Sequence, residues 1–205
     1  MKASRTLILN ALLVFIFYSC TPENPTPNPP PPPTPTSFTI GQSYQGGIII
    51  YNLQPWDMGY DANVPHGLIA ATSDQSVSIE WGCWGVEISG TSEAIGAGAQ
   101  NTVDIINGCS EPDRAARLCG DLVLGGYSDW YLPSLDELNK MYIAAVTLGY
   151  QSFPVLPGYY WSSSEMDDPG GNHQGQRVWV QNLNSGSTNC QDKTDFYPVR
   201  AVRSF

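Results

Sequence analysis

The chain has 205 residues, of which 41% are hydrophobic, 11% aromatic and only 14% charged. That balance excludes a disordered chain, which would be rich in charge and poor in aromatics. Nine Lys and Arg against 19 Asp and Glu give a formal charge of −10, which excludes a protein that reads nucleic acid through a basic face.

Residues 1–19 have the pattern of a secretory signal peptide. Lys2 and Arg5 precede an apolar run from Leu7 to Tyr18, broken only by Asn10. Twelve residues are too few to span a bilayer as a permanent helix, which needs about 20. The run ends Ser19-Cys20, a small residue directly before cysteine, which resembles a bacterial lipobox. Cys20 is therefore expected to become the lipidated N-terminus. Residues 20–37 form a tether, with nine prolines between Pro22 and Pro35 and an unbroken run from Pro29 to Pro33. Proline fixes φ and removes an amide donor, so the segment is expected as extended polyproline II. At about 3.1 Å per residue it would hold a domain roughly 50 Å from a membrane. Loss of residues 1–19 removes two of the 9 basic residues and none of the 19 acidic ones, so the mature charge is −12. Such a surface disfavours anionic partners.

One domain, residues 38–205, carries all 20 glycines and is expected to be rich in turns and long loops. Short strands are predicted at Ile48–Leu53, Gly67–Thr72, Ile79–Gly82 and Asp129–Leu132. Alternation continues them at Tyr159–Ser163, Arg177–Asn184 and Tyr197–Ser204. Ser110-Glu111-Pro112-Asp113 has the pattern of a helix start, followed by Ala115, Leu118, Cys119 and Leu122 on one face. Ser134-Leu135-Asp136-Glu137 is a second capping box; Leu135, Leu138, Met141, Tyr142 and Ala145 would face inward, and Gly149 is a natural stop. A weaker helix is expected from Gln100 to Asn107, closed by Gly108, after a turn at Gly96-Ala97-Gly98. Strands, then helices, then an antiparallel return to the C-terminus argue an α+β fold with two main helices, small antiparallel sheets and long loops.

The stretches Gly46-Gly47-Ile48-Ile49, His66-Gly67-Leu68-Ile69-Ala70, Ile79-Glu80-Trp81-Gly82 and Ala115-Ala116-Arg117-Leu118-Cys119 come in a familiar order. They are followed by Gly126-Tyr127-Ser128-Asp129-Trp130-Tyr131-Leu132-Pro133-Ser134 with Glu137-Leu138, then Tyr160-Trp161-Ser162-Ser163-Ser164-Glu165 and Val199-Arg200-Ala201-Val202-Arg203. Over nearly all of residues 41–205 the chain resembles the C-terminal domain of the collagen-like bacterial adhesin Lcl and its relatives. The resemblance implies a C-type-lectin-like fold and an outer-membrane or cell-surface lipoprotein of a Gram-negative bacterium. It also implies an adhesin; the collagen-like member binds sulfated glycosaminoglycans. This chain has no collagen repeat and is acidic, so a sulfated polysaccharide is not the expected ligand.

With Cys20 lipidated, Cys83, Cys109, Cys119 and Cys190 allow three pairings. Cys83 and Cys109 fall in loops, and the resemblance, in which the two often occur together, favours their pairing. Cys119 lies on an apolar helix face, and whether it is a buried thiol or pairs with Cys190 stays open. No C-x-x-C and no paired-histidine motif is present, which argues against a redox or zinc site. His66 opens an apolar strand and is read as structural. Ser163, His173 and Asp168 could be assembled into a triad only without a nucleophile elbow, so no catalytic residue is assigned. The candidate ligand loop is Glu165 to His173, where Glu165, Asp167, Asp168 and Asn172 offer the hard oxygens that calcium prefers. Trp161 and Trp179 flank it as candidate stacking platforms for a sugar.

The expected function is a non-catalytic, surface-anchored binding module for a glycan or a surface protein. A structural part of an envelope or fimbria-like assembly is the alternative, and an enzyme ranks last. We expect the wild-type protein in the membrane fraction and the Cys20→Ala variant in the soluble fraction; unchanged membrane association of the variant would refute lipidation at Cys20.

Overall fold

The computed structural model describes residues 38–167 and 171–205. Three antiparallel sheets and three helices pack around two adjoining apolar clusters. The largest sheet has the order β1-β2-β3-β9, from β1 (Ser43–Tyr44), β2 (Gly47–Asn52), β3 (Gly67–Ala71) and β9 (Val202–Ser204). β3 is an inner strand of this sheet, covered on both faces, and is buried at every residue. Ile49 and Ile69 enter one cluster with Trp81, Trp130 and Trp161, while Ile50 and Leu68 enter the other with Leu138, Met141 and Phe153. The alternation of a strand thus distributes the chain between two cores.

β4 (Ser76–Ile79) pairs only with β8 (Tyr197–Val199). The expected strand Tyr197–Ser204 is interrupted at Arg200-Ala201, and the reason is a buried ion pair. Arg200 Nε donates to Asp74 at 2.6 Å and Nη1 to the Pro154 carbonyl at 2.7 Å. Tyr160 donates its hydroxyl to the same Asp74 carboxylate at 2.9 Å. Turning Arg200 inward to meet Asp74 breaks the ladder and hands the chain from one sheet to the next.

The third sheet is β5 (Tyr159–Glu165), β6 (Arg177–Asn182) and β7 (Thr188–Asp192). β7 was not expected from its polar sequence; it is an edge strand fixed by the tight turn after Asn182, whose Oδ1 accepts the Asn184 and Ser185 amides. Pairing of β5 with β6 jumps from Trp161↔Val180 to Glu165↔Val178, so Ser162, Ser163 and Ser164 bulge inward and are fully buried. The Ile79–Gly82 strand is shifted to Ser76–Ile79, and Asp129–Leu132 reduces to a single bridge, Tyr131↔Val202.

Among the described residues there are three helices, the two main ones and the weaker one expected near Gln100–Asn107. α1 (Gly98–Gly108) is eleven residues long and begins two residues before Gln100. α2 (Ala115–Gly120) begins five residues after the predicted cap. Ser110-Glu111-Pro112-Asp113 stays in a loop because Asp113, the acid expected to close the box, adopts φ +53°, outside the helical region; its neighbour Glu111 accepts from Arg114 Nε at 2.6 Å. Arg114 also reaches Glu80 at 2.9 Å. α3 (Leu135–Leu148) follows its sequence signals closely: Ser134 and Glu137 form the reciprocal capping box, and Gly149 ends the helix.

Cys83 and Cys109 are joined, as the resemblance implied. The second pairing is not formed: Cys119 is a free thiol buried in the Trp81 cluster, and Cys190 is a free, half-buried thiol on edge strand β7. Burial pushes the Cys119 thiol far above its ordinary value. Peptide mapping without reductant should recover the Cys83–Cys109 bridge, and removing both cysteines should cost about 3 kcal/mol in the chain-entropy account. Cys190 should react with a thiol reagent in the native protein and Cys119 only on unfolding; native labelling of Cys119 would contradict this packing.

Candidate functional site

Among the described residues, two of the surface clefts are shaped mainly by loops. The first contains part of the sequence candidate loop. The segment Glu87–Thr91 faces Glu165–Asp167 and Gln174–Gly175 across about 290 Å³. Gly175 has φ +66°, and a Cβ there would lie 2.5 Å from the Glu87 amide nitrogen, so only glycine allows the two loops to approach. The Gly85 amide donates to the Gly175 carbonyl at 2.8 Å and closes one end.

Glu165, which lines this cleft, is held in a buried ion pair with Lys193; the Lys193 and Glu165 side chains are 0% and 7% exposed. Lys193 also donates to the Val86 carbonyl at 2.6 Å and lies 4.4 Å above the Trp81 ring. The other Glu165 oxygen accepts the Ile88 amide at 3.0 Å. Burial raises the Glu165 carboxyl and lowers the Lys193 amine from their ordinary values, and their mutual attraction opposes both shifts. Glu165, placed by sequence among the ligand oxygens, is therefore consumed in holding the 86–88 loop against β5.

The structure separates the other sequence candidates. Trp161 is fully buried, and its indole donates to the Ile79 carbonyl at 2.7 Å, so it is a core residue rather than a sugar platform. Trp179 is half-buried on β6 opposite Cys190. Asp167 lines the cleft and is exposed, Asn172 is exposed and His173 half-buried nearby in sequence. Asp168 and Cys20 lie outside the described residues. Ser163 is buried and accepts a hydrogen bond from Asn101 Nδ2 at 3.0 Å, which removes it from any triad. Among the described residues one trio of potential metal ligands converges, Cys83, Cys109 and Glu111, and its sulfurs are tied in the disulfide.

The second cleft was missed in sequence. The connection between β2 and β3 runs fourteen residues, Leu53 to His66, and encloses about 300 Å³ lined by Asn52, Leu53 and Tyr60 to His66. Connections this long are uncommon in compact domains unless they carry function. The loop is stiffened from within. Asp57 accepts the Tyr51 hydroxyl at 2.6 Å and the Gln54 amide at 2.7 Å, and the Tyr60 amide donates to the Asp57 carbonyl at 3.2 Å. Asp61 accepts the Asn63 amide at 2.8 Å, which holds its carboxyl below the ordinary range, and Asp61 bridges to Val64. His66 is anchored by Nδ1 to the Phe205 carbonyl at 2.9 Å. On this frame Trp56 is 80% exposed and Met58 67%, with Tyr60 partly exposed at the cleft wall. The readable signal was three large apolar residues at alternate positions in a loop of turn formers.

Fold and clefts together define a loop-bearing α+β domain in which helices and sheets form a rigid base and irregular segments shape the exposed recesses. Residues 70–203 match the family model of the Lcl C-terminal domain, and the chain belongs to that family. No curated protein matches it.

Lys193→Met leaves Glu165 buried without its partner and should cost about 3–5 kcal/mol, most of it recovered in the double variant Lys193→Met/Glu165→Leu. In the single variant the folded state holds the Glu165 proton more tightly than the unfolded chain does. Its stability should therefore fall as pH rises through the ordinary carboxylate range. Denaturant unfolding across pH checks both; a single variant as stable as wild type would show that the pair is not the anchor described.

Proposed function

We propose that this chain is a surface-anchored, non-catalytic, adhesin-like module on a C-type-lectin-like scaffold, taking a glycan through its loops. The observation that carries the reading is the stiffened Leu53–His66 loop, which exposes Trp56 and Met58 to solvent and lines an open cleft with Tyr60. An exposed indole or phenol held on a rigid frame loses little entropy on contact and offers a flat face to a sugar. The buried carboxylates serve structure instead: Glu165 with Lys193, Asp74 with Arg200, and Glu137 in the helix cap. That distribution favours recognition over acid–base chemistry.

Membership of the Lcl C-terminal domain family supports the adhesin-like reading. The lipobox-like Ser19-Cys20 and the Pro-rich tether support placement at the outer membrane or cell surface of a Gram-negative bacterium. Among the described residues no helix is long and apolar enough to cross a membrane, so the anchoring proposal rests on Cys20. The mature charge of −12 favours neutral over sulfated ligands.

A glycan array probed with the purified mature chain, with calcium and with chelator, tests the reading. Uncharged glycans should be retained, with little sensitivity to salt, and Trp56→Ala should weaken retention about tenfold. An array on which no glycan is retained, in either condition, would overturn it.

A further inference from the structure

The geometry points to the Asn52–His66 cleft as a calcium-independent subsite for one uncharged pyranose ring. This rests on the proposed binding-module reading and adds the ligand class and the atoms that select it. The cleft precedes residues 70–203, so the family match assigns nothing to it.

The first argument is the sign of the free hydrogen-bonding groups. His66 Nδ1 faces a Phe205 main-chain oxygen, which can only accept, so Nδ1 carries a proton. The remaining ring nitrogen, Nε2, accepts in the neutral tautomer that this contact selects and donates in the imidazolium. Asp61 Oδ1 is engaged by both the Asn63 amide and the Asn63 side chain. Among the described contacts Oδ2 is left free, and it too is an acceptor. The cleft thus offers acceptors that need donors, and vicinal hydroxyls supply donors in pairs.

The second argument is charge. Neither Lys nor Arg is among the lining residues, and Asp61 holds its negative charge to lower pH than an ordinary carboxylate. A sulfated or carboxylated ring would bring acceptors to acceptors and an anion to an anion.

The third is shape. About 300 Å³ lies at the lower end of the range for small-ligand sites and suits a single ring. Leu53, Tyr60, Val64 and Pro65 make apolar wall beside the polar atoms. A pyranose has the matching division, with C–H bonds on its faces and hydroxyls at its edge. Exposed Trp56 lies on the same loop, outside the lining of the cleft. No step needs a metal, because the acceptors meet hydroxyl protons directly.

The test uses the purified mature chain and a panel of methyl hexopyranosides with their 6-sulfated counterparts, read by saturation-transfer NMR and calorimetry. At least one uncharged glycoside should bind, unaffected by chelator, with saturation strongest on its C–H protons and with its sulfated counterpart weaker. Tyr60→Ala should weaken it about tenfold, equivalent to about 1.4 kcal/mol. Asp61→Asn keeps an acceptor oxygen for the turn and should raise the affinity of the sulfated counterpart. Trp84→Ala, at an exposed indole on another loop, should change nothing. Failure of every uncharged glycoside to bind, a requirement for calcium, or indifference to Tyr60→Ala would each overturn the subsite. If the array ligand is still retained in that case, the binding-module reading stands and only this cleft is excluded.

Discussion

The carboxylate of Glu137 organises the middle of the domain. It is fully buried and accepts three hydrogen bonds, from the Ser134 amide at 2.9 Å, the Gly96 amide at 2.9 Å and the Tyr131 hydroxyl at 3.3 Å. Those donors belong to the start of α3, the loop before α1 and the segment that bridges to β9. Tyr131 also bonds Ser204 at 2.7 Å, so the C-terminal strand joins the same network. Burial raises the Glu137 carboxyl, and the backbone donors pull it back. The site is crowded as well as polar. A Cβ on Gly98 would fall 2.2 Å from Glu137 Oε2, so α1 can start there only with glycine. One side chain thus fixes where two helices begin and how the last strand docks.

Serines extend that network to the third sheet. Ser134 Oγ donates to the Ala94 carbonyl at 2.8 Å, and Ser164 Oγ accepts the Leu135 amide at 3.1 Å while donating to the Ser92 carbonyl at 2.9 Å. The two tryptophans beside them answer each other across the core. Trp81 donates to the Ser162 carbonyl and Trp161 to the Ile79 carbonyl. The bulge in β5 serves this exchange, because flat pairing would turn alternate serines away from the interior. A loop-rich chain with modest regular structure is held by side-chain-to-backbone bonds where longer ladders would otherwise do the same.

Much of this was legible in the sequence, and the failures have physical causes. α3 was readable because its stop and start signals are local: Ser134, Glu137 and Gly149 each act on their own helix. α2 begins later than its signals suggest because Asp113, the acid of the expected box, takes a left-handed φ of +53° and so cannot sit in a first helical turn. β7 was missed because an edge strand need not be apolar. Among site residues, Glu165 looked like a ligand oxygen because Lys193, its partner, lies 28 residues away in sequence and across a sheet. Trp161 looked like a platform for the same reason, since strand position alone does not say which face is covered. The Leu53–His66 loop was legible in principle from its length, but only burial shows that Trp56 and Met58 find no core.

In the proposed reading, rigidity would come from the domain and presentation from its lipid anchor. A cleft that holds one ring through a few acceptors and an apolar wall gains little free energy from any single contact, since each hydroxyl exchanges a bond to water for a bond to protein. Such a site gains strength by being preorganised and by being repeated. The Asp57 and Asp61 turns and the His66 anchor supply the first, fixing the loop before a ligand arrives. A lipid at Cys20 and a stiff tether would supply the second, because copies confined to one surface meet a polymeric glycan as an array. Each additional engagement is then set by effective concentration and not by a new contact. A cleft that reads the hydroxyls of a neutral ring would suit that arrangement on an acidic domain: the common charge would keep neighbouring copies apart without opposing an uncharged ligand.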